Sequence, residues 1–216
     1  VQLTEIIKRV QRIFGDEDEV QIQIQDIISW ASDGQMEIAR QTECLTKNKI
    51  WDWDPVSAYS FALPADFILE KRVTWTDGSV KDKPLGKTTL ELIDQQGFNT
   101  STRQDGTPST YYIWSGLLNV LPLINAPHTQ AVKLWYVCSP DPLVQIADQL
   151  QIPMHMHEDV VRYCLMRARE LNEDVEQASR IEAGLANRMM QSRSEAFNPY
   201  KDQYPVIRPD PGDWWN

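Results

Sequence analysis

Residues 157–197 read HEDVVRYCLMRARELNEDVEQASRIEAGLANRMMQSRSEAF, a periodic run that limits what the rest of the chain can do. Val161, Cys164, Leu165, Ala168 and Leu171 recur at steps of three and four, and Val175, Ala178, Ile181, Leu185 and Met189 continue the rhythm. That spacing puts apolar side chains on one side of a helix. Glu158 and Asp159 fall in the first turn and Arg188 and Arg193 near the end, the placement that a helix dipole favours. Unbroken, the helix would be roughly 60 Å long at about 1.5 Å per residue. Asn172-Glu173-Asp174 offers a break, because Asn and Asp compete with the helical backbone for hydrogen bonds. Gly184 is a second soft point. The span is expected as one long helix or two helices end to end. An apolar stripe of this length needs a partner.

The other end of the chain supplies one. Leu3, Ile6, Ile7, Val10, Ile13 and Phe14 fit a helix closed by Gly15. Gly15-Asp16-Glu17-Asp18-Glu19 is expected as a solvated acidic turn. Val20 to Leu45 first alternates like a strand, but Val20, Ile24, Ile27, Ile28, Ala31 and Ile38 keep helical spacing much further. Gln is also the better helix former, so a second long helix, antiparallel to the first, is expected here. Two helices cannot bury both stripes by themselves. The sequence therefore predicts an α+β fold: an antiparallel helical bundle from both chain ends, residues 1–55 and 138–197.

Between them the composition shifts. From residue 56 to 137, β-branched and aromatic residues rise and turn residues come at short intervals. Ile68–Thr76, Tyr111–Trp114, Leu117–Leu121 and Ala131–Val137 read as strands. Asp77-Gly78 and Ser115-Gly116 read as hairpin turns, and Leu85 to Gly97 as a short helix. This is a mainly antiparallel β insertion, 56–137. Just before it, Lys47–Pro55 is expected as a loop bearing Trp51 and Trp53, which read as a lid on the helical core, a protein interface or a sugar platform. After residue 197, Pro199, Pro205, Pro209 and Pro211 forbid a helix, while Tyr200, Tyr204, Ile207, Trp214 and Trp215 remain to be buried. A solvated tail is normally poor in aromatics. Residues 198–216 are expected as an extended arm that lies on another chain, with a tail folded back on its own bundle as the alternative.

The chemistry of the sequence excludes several roles. A formal net charge of −10 argues against a protein that coats nucleic acid, which needs clustered Lys and Arg. Cys44, Cys138 and Cys164 are few, distant and odd in number, with neither zinc nor disulfide spacing. No apolar run approaches the ~18 residues that suggest a membrane span. His155, His157 and Glu158 lack the HExxH spacing, and a helix start explains them without metal. No nucleophile elbow, P-loop or dinucleotide fingerprint is present. Catalytic residues, metal ligands and cofactors are therefore all predicted as none, and an enzyme is not expected.

The order of segments resembles a known family. A helical start leads to TECLTKNKIWDWD, then to YSFALPADFILEKRVTW, with Leu63-Pro64-Ala65-Asp66-Phe67 as the turn before a strand. TYYIWSGLLNVLPLINAPHTQAVKLWYVCSPDPL gives a strand–Pro–strand section, and IADQLQIPMHMHEDVVRYCLMRARE re-enters the helices through Asp148, Ile152 and Pro153. Across positions 20–175 this is similar to the head-to-tail adaptor (connector) proteins of tailed bacteriophages. The resemblance implies a structural virion protein at the neck, made in the host cytoplasm. It implies a homo-oligomeric ring, commonly a dodecamer, between the portal protein and a tail or nozzle protein, with DNA passing through unbound. It also implies that the arm, with Tyr200, Tyr204, Ile207, Trp214 and Trp215, reaches the portal. The alternative is a carbohydrate- or receptor-binding tail module working through Trp51 and Trp53. A third reading, a cell-wall hydrolase, has no identifiable residues behind it.

Overall fold

The computed structural model describes residues 2–55, 60–76, 78, 82–95, 103–104 and 107–196. The chain is α+β. In order it forms α1 (Leu3–Phe14), α2 (Ile24–Thr42), β1 (Thr46–Trp53), β2 (Ser60–Ala62), β3 (Phe67–Trp75), β4 (Lys83–Pro84) and β5 (Gly86–Lys87). There follow α3 (Leu90–Gln95), β6 (Arg103–Gln104), β7 (Thr110–Trp114), β8 (Leu117–Leu121), β9 (Leu123–Ile124), β10 (His128–Cys138), α4 (His157–Leu171) and α5 (Val175–Ala196). Two compact units result, one from residues 1–44 and 143–216, the other from 45–142.

In the helical unit, α1 buries Leu3, Ile6, Ile7 and Val10 and stops at Gly15, whose φ of 89° the absence of a Cβ permits. The acidic turn after it is not simply solvated. Asp16 is 5% exposed, and its carboxylate accepts the backbone N–H groups of Val20, Gln21 and Ile22 at 2.9, 2.9 and 2.7 Å. These bonds gather residues 20–22 into a turn ahead of the helix. Ile22 is buried as a plug, Val20 faces water, and α2 begins only at Ile24. From there Ile27, Ile28, Ala31, Ile38 and Ala39 form its buried face.

The C-terminal run breaks where Asn172-Glu173-Asp174 offered a break, but the two helices are not end to end. Glu173 takes a positive φ of 60°, and Asp174 N–H bonds Arg169 O at 3.0 Å. The chain doubles back, so that Arg188 late in α5 lies 2.7 Å from Asp159 at the start of α4. Leu171 and Val175, counted into the apolar stripe, are exposed because they flank this turn. α4 packs against α1, α2 and α5, and α2 also touches α1 and α5. The return segment lies along them, with Leu3 N–H on Asp148 O at 3.3 Å and Leu143 N–H on Ser32 Oγ at 3.1 Å.

The sheet unit holds two four-stranded sheets, ordered β1-β10-β3-β4 and β2-β8-β7-β5, and a β6–β9 pair. Pairing is antiparallel except for β5–β7 and β6–β9. The four expected strands form, as β3, β7, β8 and β10. Ser115 and Gly116, both at positive φ, close the β7–β8 hairpin. Gly78 is at φ 87°; Asp77 and Gly97 lie outside the described residues. Both large sheets contribute to one hydrophobic cluster around Trp53, Phe61, Val73, Trp75, Leu118 and Leu134.

Residues 46–53 are a strand and not a loop. β1 pairs antiparallel with β10 from Thr46↔Val137 to Trp51↔Val132. β1 therefore belongs to the 45–142 unit. The register then shifts at Asp52, whose carboxylate accepts the Gln130 N–H at 2.6 Å.

Candidate docking surfaces

Trp51 and Trp53, two apart on a strand, point to the same face. That face is the interior. Trp53 is 1% exposed, stands edge-on to Trp75 at 5.4 Å and directs its indole N–H to Ile124 O at 3.4 Å. Trp51 is half-buried against Phe61, with centroids 5.4 Å apart. Both belong to the hydrophobic cluster of the sheet unit, where the expectation was a lid on the helical core. Burial of Trp53 leaves only the half-buried Trp51 of the pair partly open to solvent. Tyr200, Tyr204, Ile207, Trp214 and Trp215 lie outside the described residues.

His155 and His157 part company as well. His155 is exposed, whereas His157 is buried with Nε2 3.0 Å from Ile152 O. Burial pushes the His157 pKa down and keeps the ring neutral at the head of α4. Among the described residues no group of three His, Cys, Asp or Glu is placed to hold a metal ion, and no helix is long and apolar enough to cross a membrane.

The helical unit carries a feature that residue patterns did not single out, an open groove of about 500 Å³ between α2, α4 and α5. Met36, Met166, Leu185 and Met189 supply its apolar lining, one or two from each helix. Asp33, Glu37, Glu170 and Glu182 supply four carboxylates, against the single guanidinium of Arg167. Arg40 holds the Glu37 carboxyl below its usual range, with Nη2 to Oε2 at 2.9 Å. Arg167 is tied to Glu170 at 2.8 Å and lies 5.7 Å from the Tyr163 ring centroid.

Tyr163 forms the groove wall because Gly34 lets α2 come under it. A Cβ on Gly34 would meet Tyr163 Cδ1 at 2.9 Å. At the other end of α5, Arg193 reaches buried Glu43 at 2.6 Å and fixes the last turns to the end of α2. Few apolar side chains of α5 are deeply buried, chiefly Ala178, Leu185 and Met189, so these ion pairs share in holding the helix.

An open groove with an apolar floor and an acidic rim has a shape and lining that a chain segment could fill. The family described as SU10 adaptor protein matches residues 1–208, and the chain belongs to that family. It is a family of bacteriophage adaptors, structural and not catalytic, in agreement with the resemblance read from segment order. Among curated proteins, none matches the chain.

Proposed function

We propose that this protein is the ring adaptor between the portal and the tail of a bacteriophage, extending the DNA channel at the virion neck. The carrying observation is a family match over nearly the whole chain. The α+β architecture, with helices from both chain ends and sheets between them in sequence, fits it. In this reading the four long helices form one antiparallel bundle, and the bundles of about a dozen copies stand side by side around the channel. A tail or nozzle protein docks below. Copies await assembly in the host cytoplasm.

Residues 198–216 are the portal-docking arm, with Tyr200, Tyr204, Ile207, Trp214 and Trp215 as anchors. Its Pro residues pre-set an extended backbone, so less entropy is lost on docking. Truncating an aromatic hot spot costs about 2 kcal/mol or more at a well-packed site. Part of the excess negative charge lines the channel, where carboxylates repel phosphates and let DNA slide. Particle imaging of the purified protein, alone and with portal, is the test. Rings that join the portal, and fail to join it when 198–216 is deleted, support the reading. A monomer indifferent to portal overturns it, and a basic lumen overturns the charge argument.

A further inference from the structure

The acidic groove has its own candidate occupant in the segment that follows α5. We propose that residues 199–208 of the same chain rest in the groove between α2, α4 and α5 until an assembly partner withdraws them. This deepens the reading of the C-terminal segment as a docking arm, and portal joining is measured separately so that the two ideas can fail separately.

The first argument is position. α5 ends at Ala196, and Met189 in the groove lies seven residues back, about 10 Å at the rise of an α-helix. The Arg193–Glu43 pair holds this end of α5 beside the C-terminal end of α2, where Gln41 marks the groove. The chain therefore leaves the helix next to the groove mouth. Pro199 rules out a simple continuation of the helix. Ten extended residues reach about 30 Å at ~3.1 Å each. The α2 side of the groove, Asp33 to Gln41, is only about 12 Å long on the helical rise, which leaves slack for the chain to reverse.

The second argument is chemistry. Tyr200, Tyr204, Val206 and Ile207 are apolar or amphipathic, and Lys201 and Arg208 outnumber the single Asp202. They meet three methionines, which adapt to irregular aromatic shapes. Two of the rim carboxylates are engaged, Glu37 by Arg40 and Glu170 by Arg167. Among the described residues Asp33 and Glu182 form no ion pair, and they remain for Lys201 and Arg208. A tether this short gives an effective concentration in the millimolar range, so a weak site is filled. Occupancy also shelters Tyr and Ile side chains that would otherwise attract unwanted contacts before assembly. Trp214 and Trp215 lie beyond the segment, available to begin capture by a partner.

Limited trypsinolysis of the free full-length protein tests this. Within 199–208 trypsin cuts after Lys201, since Arg208 precedes Pro209. Native protein is expected to be cut there at least tenfold more slowly than two variants. One is Met36→Glu with Ala186→Arg, which spoils the groove, since Ala186 on α5 lines it with Met36. The other is Tyr200→Ser with Tyr204→Ser, which leaves the helices untouched and covers the case of a misfolded groove variant. Equal cutting in native protein and the tyrosine variant overturns the proposal. Protection that is lost on dilution overturns the same-chain assignment and moves the segment to a neighbouring copy. Portal joining by the Met36→Glu/Ala186→Arg protein, compared with loss of joining on deletion of 198–216, shows separately whether the arm docks at all.

Discussion

Gly34→Ala places a methyl group where α2 and α4 are closest, and its effect can be worked from three distances. The added Cβ would stand 2.9 Å from Tyr163 Cδ1, 3.1 Å from Cγ and 3.3 Å from Cβ. Carbon pairs settle at about 3.5–4.0 Å, so the three contacts are too close by at least about 0.6, 0.4 and 0.2 Å. Cβ and Cγ are the root of the tyrosine, and rotation about χ1 cannot move Cβ. Relief requires the helices to part, which disturbs Ala31, Ile38, Val160 and Cys164, each fully buried. Overpacking of this kind costs about 1–3 kcal/mol. Against it, Ala in place of a helical Gly returns about 1 kcal/mol. The clash should win by about 1 kcal/mol, lowering the urea midpoint by roughly 0.5 M for an m-value near 2 kcal/mol/M. In a Tyr163→Ala background the ring is gone, and Gly34→Ala should stabilise by up to about 1 kcal/mol. Urea titrations followed by helical circular dichroism give all four corners of the cycle. A raised midpoint for Gly34→Ala in the native background would refute the close approach of α2 and α4.

Three further outcomes are expected. Burial alone would raise the Asp16 pKa, but the Ile22, Gln21 and Val20 N–H groups outweigh it and hold the carboxyl low; its stabilisation is then present above the unfolded pKa and lost as pH falls through the folded one. Asp16→Asn should flatten that acid-side decline, while Asp159, whose pKa burial raises despite Arg188, works in the opposite sense; melting temperatures across the acid range check the sign. Trp53→Ala should cost the sheet unit about 3–5 kcal/mol, read as a fall in its urea midpoint, whereas a loss under about 1 kcal/mol would mean that Trp53 is not core. The Cys164 thiol, buried and pushed up to about 12, should resist iodoacetamide until unfolding while half-exposed Cys44 is modified first, with peptide mass spectrometry locating the label.

Local pattern made most of the helices legible. Leu3–Phe14 ends at Gly15 because a single residue both stops the apolar rhythm and permits the cap geometry. The stop at 172–174 was readable, but reversal was not, because the pairing of Asp159 with Arg188 joins residues that sequence spacing keeps apart. Just before α2, residues 20–23 have both strand and helix signals, and an earlier side chain intervenes: Asp16 gathers the backbone donors of Val20, Gln21 and Ile22 into a turn. β1 was hidden for a related reason. Lys47, Asn48, Lys49 and Asp52 have low strand preference, and only the ladder to β10 makes them extended. The groove was invisible because its lining is divided among three helices, each ordinary when read alone.

β1 and β10 open and close the sheet unit, and they are partners: Thr46 pairs with Val137, and Cys138 N–H reaches Leu45 O at 3.0 Å. Once that ladder is zipped, the helical segments are joined as if by a tight loop, whatever length of chain lies inside. Closing a loop costs only about 0.6 kcal/mol more for each doubling of length, and a paired entrance and exit removes even that dependence. The sheet unit is therefore a cassette. Insertions or deletions between β2 and β9 change its outline without changing the gap that the helical segments must bridge.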